Sequence, residues 1–434
     1  MIEQMQILVG ILEKSQWDTT DNMLNKQMKH FNKLLAHAYQ SVALYKAQYS
    51  AVFAKNNNPS LLDCPILTRE QVQAAGDNFI STNLPAIHGG QYPDVTSGST
   101  GKAVTIIGTD FTRSFYDALM LREHSWHQRD FSKKLMAIRW AKRDLAYSPS
   151  GHHQATWGAP INQYVETGSS VFINVTTATQ DQINALLDYQ PEYLITYPSQ
   201  LVALAQHCVA HQISLPFLEE VRTTGETFSD DYKKIIREAW PQVKITDVYS
   251  SVEIGIMAQQ CPEQGRYHVN TENVLLEIVD ENNQPCGLGQ SGRVLVTSLM
   301  NYATPLIRYE IGDYAEWDAP CECGRVLPVI KKILGRKRNR IQYPNGESGF
   351  PYLGDRTEFR KIVTGIQKFQ FIQKTIHDIE IKLVVAVPLT QSQENQYKEL
   401  IQKNFGYPFN ITITYHDNIP LGPTGKYEEF ISFA

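Results

Sequence analysis

The chain has 434 residues, 42% hydrophobic and 20% charged, with a formal net charge of -5. That is enough apolar material for a large core in more than one domain, and it leaves no excess of positive charge for a nucleic-acid partner. No apolar run nears the roughly 20 residues a membrane span requires, and the N-terminus MIEQMQILVGILEKSQWD has no basic lead and no small-residue cleavage site, so it reads as an amphipathic helix and the protein as cytosolic.

Residues 1 to about 90 read as mostly helical, broken at Pro59, Pro65 and Pro85. Next comes Thr96-Ser97-Gly98-Ser99-Thr100-Gly101-Lys102, followed at once by Ala103-Val104-Thr105-Ile106-Ile107. Small hydroxyl residues ending in a lysine suit a loop that folds around phosphate with backbone N–H groups, hydroxyls and one cation. It is not a Walker A loop: Thr96 stands where that motif needs glycine, and Ala103 follows the lysine. Nor does it suit a free linker, because it leads directly into a strand-like run.

Residues 110–127 carry apolar positions at helical spacing, among them Phe111, Phe115, Leu119 and Met120. Segments 134–138 and 170–175 read as buried strands, and 180–189 and 199–212 as helices. Strand alternating with helix predicts α/β layers with largely parallel pairing. From about 267 to 317 the pattern becomes several short strands with turns at 280–283 and 287–289, which predicts a β-rich subdomain. The basic run Arg336-Lys337-Arg338-Asn339-Arg340 reads as a solvated turn. A boundary near 335–341 then separates a short last region with a strand pair, two helices and a glycine-containing tail. There is no internal repeat.

Four further stretches stand out: TTGETFSDDYKKIIREAW with Gly225, Glu226 and Thr227; DVYSSVEIG with Tyr249, Ser250, Ser251 and Glu253; PLIRYEIGDYAEW with Arg308 and Asp313; and PLGPTGKYEEF with Lys426. Each is weak alone. Glu253 could be a helix-start acid, Asp313 a turn residue, Tyr249 core and Lys426 a solvated lysine. In this order and at these separations they resemble the adenylate-forming superfamily of acyl-CoA synthetases, adenylation domains and luciferases, and within it the phenylacetate-CoA ligases. The resemblance runs from about residue 90 to the C-terminus, and more loosely into the helical start.

The resemblance implies a fold and a reaction. The fold is a large multi-layer α/β N-terminal domain over 1–335 with the β-rich subdomain inside it, and a small mobile α+β C-terminal domain over 336–434. The reaction joins a carboxylic acid, aryl or arylacetic, to AMP from ATP and passes it to a thiol, most simply coenzyme A. A carrier protein or an amine as acceptor stays open, as do a homodimer and a non-catalytic nucleotide-binding scaffold. Residues 96–102 would grip the β- and γ-phosphates. Glu253 would ligand magnesium, Tyr249 would lie against adenine, Gly225 and Glu226 would line the adenine slot through backbone contacts, and Thr227 beside them would belong to the ATP site. Asp313 would accept the ribose hydroxyls, and Arg336 would lie near ribose and phosphate. Lys426 would bridge the attacking carboxylate and the α-phosphate, then leave before the thiol enters. The chain departs from the family at Val252, where a small hydroxyl residue is usual, with Ser250 or Ser251 as substitutes, and at the hinge, where Lys337-Arg338-Asn339 replaces an aspartate and Arg338 becomes the hinge candidate.

Six cysteines remain to be placed. Cys261 and His268 in CPEQGRYH, with Cys321 and Cys323 in CECG, form a three-thiolate, one-imidazole set suited to structural zinc, and a similar cluster occurs in some phenylacetate-CoA ligase relatives. Cys286 sits in a turn, and Cys64 and Cys208 read as buried small apolar residues. For the acyl pocket the aromatic candidates are Trp140, Trp157 and Tyr164, with core packing an equal explanation for each.

Overall fold

A computed structural model describes residues 2–434 apart from 57–58, 97–102, 142–150, 354–358, 360–361, 363–364 and 423–424. The helical start is α1 (Ile2–Ser15), α2 (Thr20–Ser41), α3 (Ala43–Lys55) and α4 (Arg69–Ala75). Thr19 caps α2 by accepting the Asn22 N–H, and Thr68 caps α4 reciprocally with Gln71. The hairpin β1 (Gln91–Val95) and β2 (Thr105–Thr109) brackets the hydroxyl-rich loop, and α5 (Asp110–Trp126) starts directly from it. No helix among the described residues is long and apolar enough to cross a membrane.

The centre is a twelve-stranded sheet. Its parallel half holds β3 (Leu135–Arg139), β5 (Ser170–Asn174), β6 (Tyr193–Thr196), β7 (Glu220–Thr224) and β8 (Lys244–Ser251), with β4 (His152–Gln154) antiparallel at the edge beside β5. Helices α6 (Thr179–Tyr189), α7 (Pro198–Ala210) and α8 (Asp230–Ala239) make the crossovers. The antiparallel half holds β9 (Gly255–Gln260), β10 (Tyr267–Val269), β11 (Val274–Val279), β12 (Ser291–Ser298), β13 (Tyr309–Trp317) and β14 (Val329–Arg336). The expected β-rich part of the large domain is this antiparallel half, which packs in a core distinct from that of the parallel half. It continues the same sheet through the pairings β8–β9 and β9–β10, and β10 pairs with β14. Of these pairings β10–β14 joins strands about 60 residues apart, a contact that leaves no local trace in the sequence.

Alternation along the parallel strands decides what each face does. Met136, Ile138, Leu194 and Val221 point to one side and pack with α6–α8 in a single apolar core. Leu135, Ala137, Ile195, Glu220, Arg222 and Thr224 point to the other, toward α5. The antiparallel half, α1–α3 and the apolar side of α5 share a second core.

After β14 the chain passes through a short 3-10 turn, Lys337–Asn339, and the strand pair β15 (Ile341–Gln342) and β16 (Ser348–Gly349). A four-stranded sheet follows, ordered β19 (Asn410–Tyr415), β18 (Asp378–Val385), β17 (Ile366–Gln373), β20 (Phe430–Ser432). It packs with α9 (Gln391–Phe405) around its own core, including Phe371, Ile381, Tyr397 and Phe405. This small C-terminal domain is richer in strands than its sequence suggested. The basic turn is only partly solvated: Arg336 and Lys337 are exposed, but Arg338 pairs with Glu428 at 2.6 Å, Asn339 donates to the Phe430 carbonyl at 2.7 Å, and Arg340 bonds Glu281 and the Tyr314 hydroxyl.

Candidate active site

The C-terminal ends of the parallel strands point at the small domain. There, strand β7 ends in Thr224 and turns through Gly225, whose φ of +84° suits glycine. A Cβ on Gly225 would lie 3.1 Å from Lys426 Cε and 3.2 Å from its Nζ, so the C-terminal lysine packs directly on this turn. Gly425 permits the approach, since its own Cβ would meet Val175 at 2.6 Å and Trp140 at 3.0 Å, and its φ is +72°.

Glu226 holds this arrangement with its side chain, a role the sequence reading did not give it. One carboxylate oxygen accepts the Ser199 backbone N–H at 2.9 Å; the other accepts the Ser199 hydroxyl at 3.0 Å and the Tyr427 N–H at 2.6 Å. Ser199 lies in the first turn of α7, where an unpaired N–H and the helix dipole both favour a carboxylate. Burial pushes the Glu226 carboxyl up to about 7. Burial and then the neighbouring Arg336 hold the Lys426 ammonium below its ordinary range.

A cleft of about 370 Å³ lies between the large sheet and the small domain, lined by Gly225, Glu226, Thr227, Arg336, Arg338 and Lys426 among others. Beneath it, β13 and β14 pair Asp313 with Arg336, whose Nε stands 3.6 Å from the carboxylate. The Tyr249 hydroxyl donates to the other Asp313 oxygen at 2.8 Å. Burial raises Asp313 above the usual carboxylate value even with Arg336 and Tyr249 beside it.

Glu253 lies beyond β8 and pairs with Arg69 Nη1 at 3.0 Å, while Arg69 Nη2 donates to the Thr96 hydroxyl at 2.8 Å. Arg69 thus ties the magnesium candidate to the first residue of the hydroxyl-rich loop. It sits on a helix about 27 residues before that loop, and no motif flagged it. Ser97, Gly98, Ser99, Thr100, Gly101 and Lys102 lie outside the described residues. Ser251 caps the turn before Glu253 by accepting the Ile254 N–H at 3.2 Å, and Ser250 meets the Thr224 hydroxyl at 3.3 Å. Arg308 stands apart, held by Glu277 and the Cys64 carbonyl.

A second cavity, about 380 Å³, opens at Thr224 and Ser250 and runs down the sheet face beneath α5. Trp157 lines it together with Tyr116, Met120, Phe172, Tyr193 and Ile195. Trp140 and Tyr164 do not. The Trp140 side chain is 40% exposed beside Gly425, and the Tyr164 hydroxyl turns away to bond Asp117 at 3.0 Å.

Away from both cavities, Cys261, His268, Cys321 and Cys323 converge, with all four ligand atoms within 4.8 Å of one another. The Cys321 and Cys261 sulfurs are 3.7 Å apart, close to the roughly 3.8 Å edge of a tetrahedron with metal–sulfur bonds of about 2.3 Å. His268 Nε2 faces Cys323 at 3.3 Å, while its Nδ1 faces the Leu327 carbonyl at 3.4 Å, which orients the ring as metal-binding histidines require. Cys286 stays outside the cluster, and Cys64 and Cys208 are buried elsewhere.

Residues 356–432 match the family model of the CapK C-terminal domain. The chain is 26% identical over 309 residues to a phenylacetate-coenzyme A ligase of Thermus thermophilus, an alignment covering 68% of this chain and 65%, just under two thirds, of that ligase. It is 26% identical over 423 residues to protein CapK of Staphylococcus aureus, covering 91% of this chain and 87% of that protein. Among solved structures, a 2-hydroxyisobutyryl-CoA ligase in its postadenylation state aligns with a TM-score of 0.72 at 15% identity, covering 94% of this chain and 88% of the other. A C-terminal lysine docked on the strand-end turn and the Tyr249–Asp313–Arg336 set beneath it thus stand in a chain that has the fold of the 2-hydroxyisobutyryl-CoA ligase and is similar in sequence to phenylacetate-coenzyme A ligases of the adenylate-forming superfamily.

Proposed function

We propose that the protein activates a carboxylic acid with ATP, releasing pyrophosphate, and passes the acyl group from the acyl-adenylate to the thiol of coenzyme A. The observation that carries this reading is the position of Lys426: it packs on Gly225 in the wall of the cleft under the small domain, and the preceding residue, Thr224, lines the cavity under α5. A carboxylate entering from the cavity would meet a cation there, with room for a nucleotide beyond it. An aryl or arylacetic acid suits the aromatic lining of Trp157, Phe172 and Tyr193.

The proposed roles are as follows. Lys426 would stabilise the charge that builds between the attacking carboxylate and the α-phosphate. Asp313 would exchange its Tyr249 partner for the ribose hydroxyls, with Arg336 beside them. Gly225, Glu226, Thr227 and Tyr249 would frame the base, and residues 96–102, begun by Thr96, would take the β- and γ-phosphates. Glu253 would hold magnesium, a hard cation that prefers carboxylate oxygen, with Arg69 fixing its position. Domains 1–335 and 336–434 would then separate about the Lys337–Asn339 turn, because Lys426 fills the place through which a thiol must approach. Cys261, His268, Cys321 and Cys323 would hold a structural zinc that pins β9, β10 and the loop before β14; four protein ligands would leave no open position for chemistry there.

The test is ATP–pyrophosphate exchange over a panel of aryl, arylacetic, amino-aryl and aliphatic acids, followed by mass detection of a coenzyme A thioester. Exchange with at least one acid, lost in Lys426→Ala while ATP still binds, is the expected result. ATP binding without exchange for any acid would refute the reading and favour a nucleotide-binding scaffold.

A further inference from the structure

The cavity under α5 is not apolar at its far end. Strand β7 places Thr224, Arg222 and Glu220 along one face, and successive same-face residues lie about 6.6 Å apart. Thr224 is at the junction with Gly225 and Lys426, so Arg222 lies roughly 7 Å deeper and Glu220 roughly 13 Å deeper. Among the lining residues are three arginines, Arg129, Arg139 and Arg222, against one carboxylate, Glu220. His124, also in the wall, is held neutral: burial, then Arg129, pushes it down to about 3.

Behind the wall the charges are tightly paired. Arg129 bonds Glu220 at 2.7 and 2.9 Å and Glu123 at 2.8 Å, and Thr246 donates to Glu220 at 2.7 Å. Arg129 is therefore committed to protein partners. Arg222 is not. It has one ion pair, to Glu123 through Nη2 at 2.6 Å; its Nε is closed off and without a hydrogen-bond partner among the described residues, and the rest of the guanidinium borders the cavity. A largely buried guanidinium, 14% exposed and bordering a cavity, carries donors that an apolar substrate would leave unanswered. Its register partners on the two neighbouring strands are Ile195 and Thr246, and neither accepts a hydrogen bond from its guanidinium.

We infer that Arg222 selects the acid: the substrate carries, some 5–8 Å from the carboxyl group that is activated, an oxygen acceptor such as a hydroxyl or second carboxylate that receives the unused Arg222 donors. This rests on the acid-activating reading and narrows its substrate class from any aryl or arylacetic acid to one with a polar far end. A site built around such a donor discriminates strongly against the analogue lacking the acceptor, by about 100-fold or more, because the buried polar group is then left unpaired.

The experiment is ATP–pyrophosphate exchange on the full chain with matched acids: benzoate and 4-hydroxybenzoate, phenylacetate and 4-hydroxyphenylacetate, hexanoate and adipate. At least one polar member should exceed its apolar partner about 100-fold in kcat/KM. Arg222→Met should narrow that ratio to below about tenfold, and Arg222→Lys, which keeps a charged donor, should restore part of it. The phenol and dicarboxylate pairs distinguish the two sources of the acceptor. Should Arg222→Met not fold, the wild-type ratios and Arg222→Lys still decide. Apolar members that equal or exceed their polar partners would overturn the inference alone, as would an unchanged ratio in a folded Arg222→Met. Exchange with no acid, despite ATP binding, would overturn the acid-activating reading and this inference with it.

Discussion

Replacing Glu226 by alanine tests whether the docked position of Lys426 is held from the large domain. The carboxylate makes three hydrogen bonds, but two stay within the large domain at Ser199, and only the 2.6 Å bond to the Tyr427 N–H reaches the C-terminal segment. A hydrogen bond to a charged group contributes about 1.5–3 kcal/mol, and the lower end applies because Glu226 borders an open cleft. Losing about 1.5 kcal/mol of docking corresponds to roughly a tenfold fall in any step that requires Lys426 in place. The assay compares two half-reactions at pH 8, where Glu226 is ionised: exchange with the active acid, and thiol transfer from acyl-adenylate supplied ready made. Exchange should fall about tenfold, and transfer, which needs Lys426 elsewhere, should stay within about twofold. Equal losses in both half-reactions, or no loss in exchange, would refute the docking argument.

Other outcomes follow from the same geometry. Because burial and Arg336 depress Lys426, its charge is lost on raising pH before the ordinary lysine value of 10.5; the alkaline limb of the exchange profile should fall below that value, and Lys426→Arg should move it upward. Gly425→Ala forces a Cβ within 2.6 Å of Val175 at a φ of +72°, and a left-handed residue alone costs about 1–2 kcal/mol; exchange should drop at least tenfold with the melting temperature of the large domain unchanged by calorimetry. Metal analysis of the purified protein should find one zinc per chain, and Cys321→Ser or a strong chelator should release it and lower the melting temperature, since metal binding is linked to folding. Burial pushes Asp247, bonded to Tyr267 and Thr223, up to about 6, above the ordinary 3.8. The folded state therefore holds that proton more tightly, its contribution to stability is full below about 3.8 and is lost as pH rises to about 6, and Asp247→Asn should flatten this part of a melting-temperature profile.

Much of the molecule was legible in the order of its residues. Helical spacing located α5 within a residue or two, alternating strand and helix announced the parallel half, and the zinc-type set was visible from its cysteines and histidine alone. These are local signals: a period of 3.6 or 2, a cap, or donor atoms of one chemical kind. The ordered motifs likewise brought Gly225, Asp313, Arg336 and Lys426 into one reading before any contact was seen.

What the linear chain withheld is set by contacts between distant segments. Arg69 reads as an ordinary helix-start arginine until α4 lies against Glu253 and Thr96. Trp140, Trp157 and Tyr164 were equivalent aromatics, and only the cover of α5 over the sheet put Trp157 in the cavity wall and left the other two outside. Glu220-Val221-Arg222-Thr223-Thr224 alternates as a half-solvated strand would, with charges on what looks like the wet face. In the folded chain that face is roofed by α5, so the same alternation builds a charged cavity floor. Sequence periodicity determines which residues share a face; whether that face meets water, a helix or a substrate is decided by long-range packing.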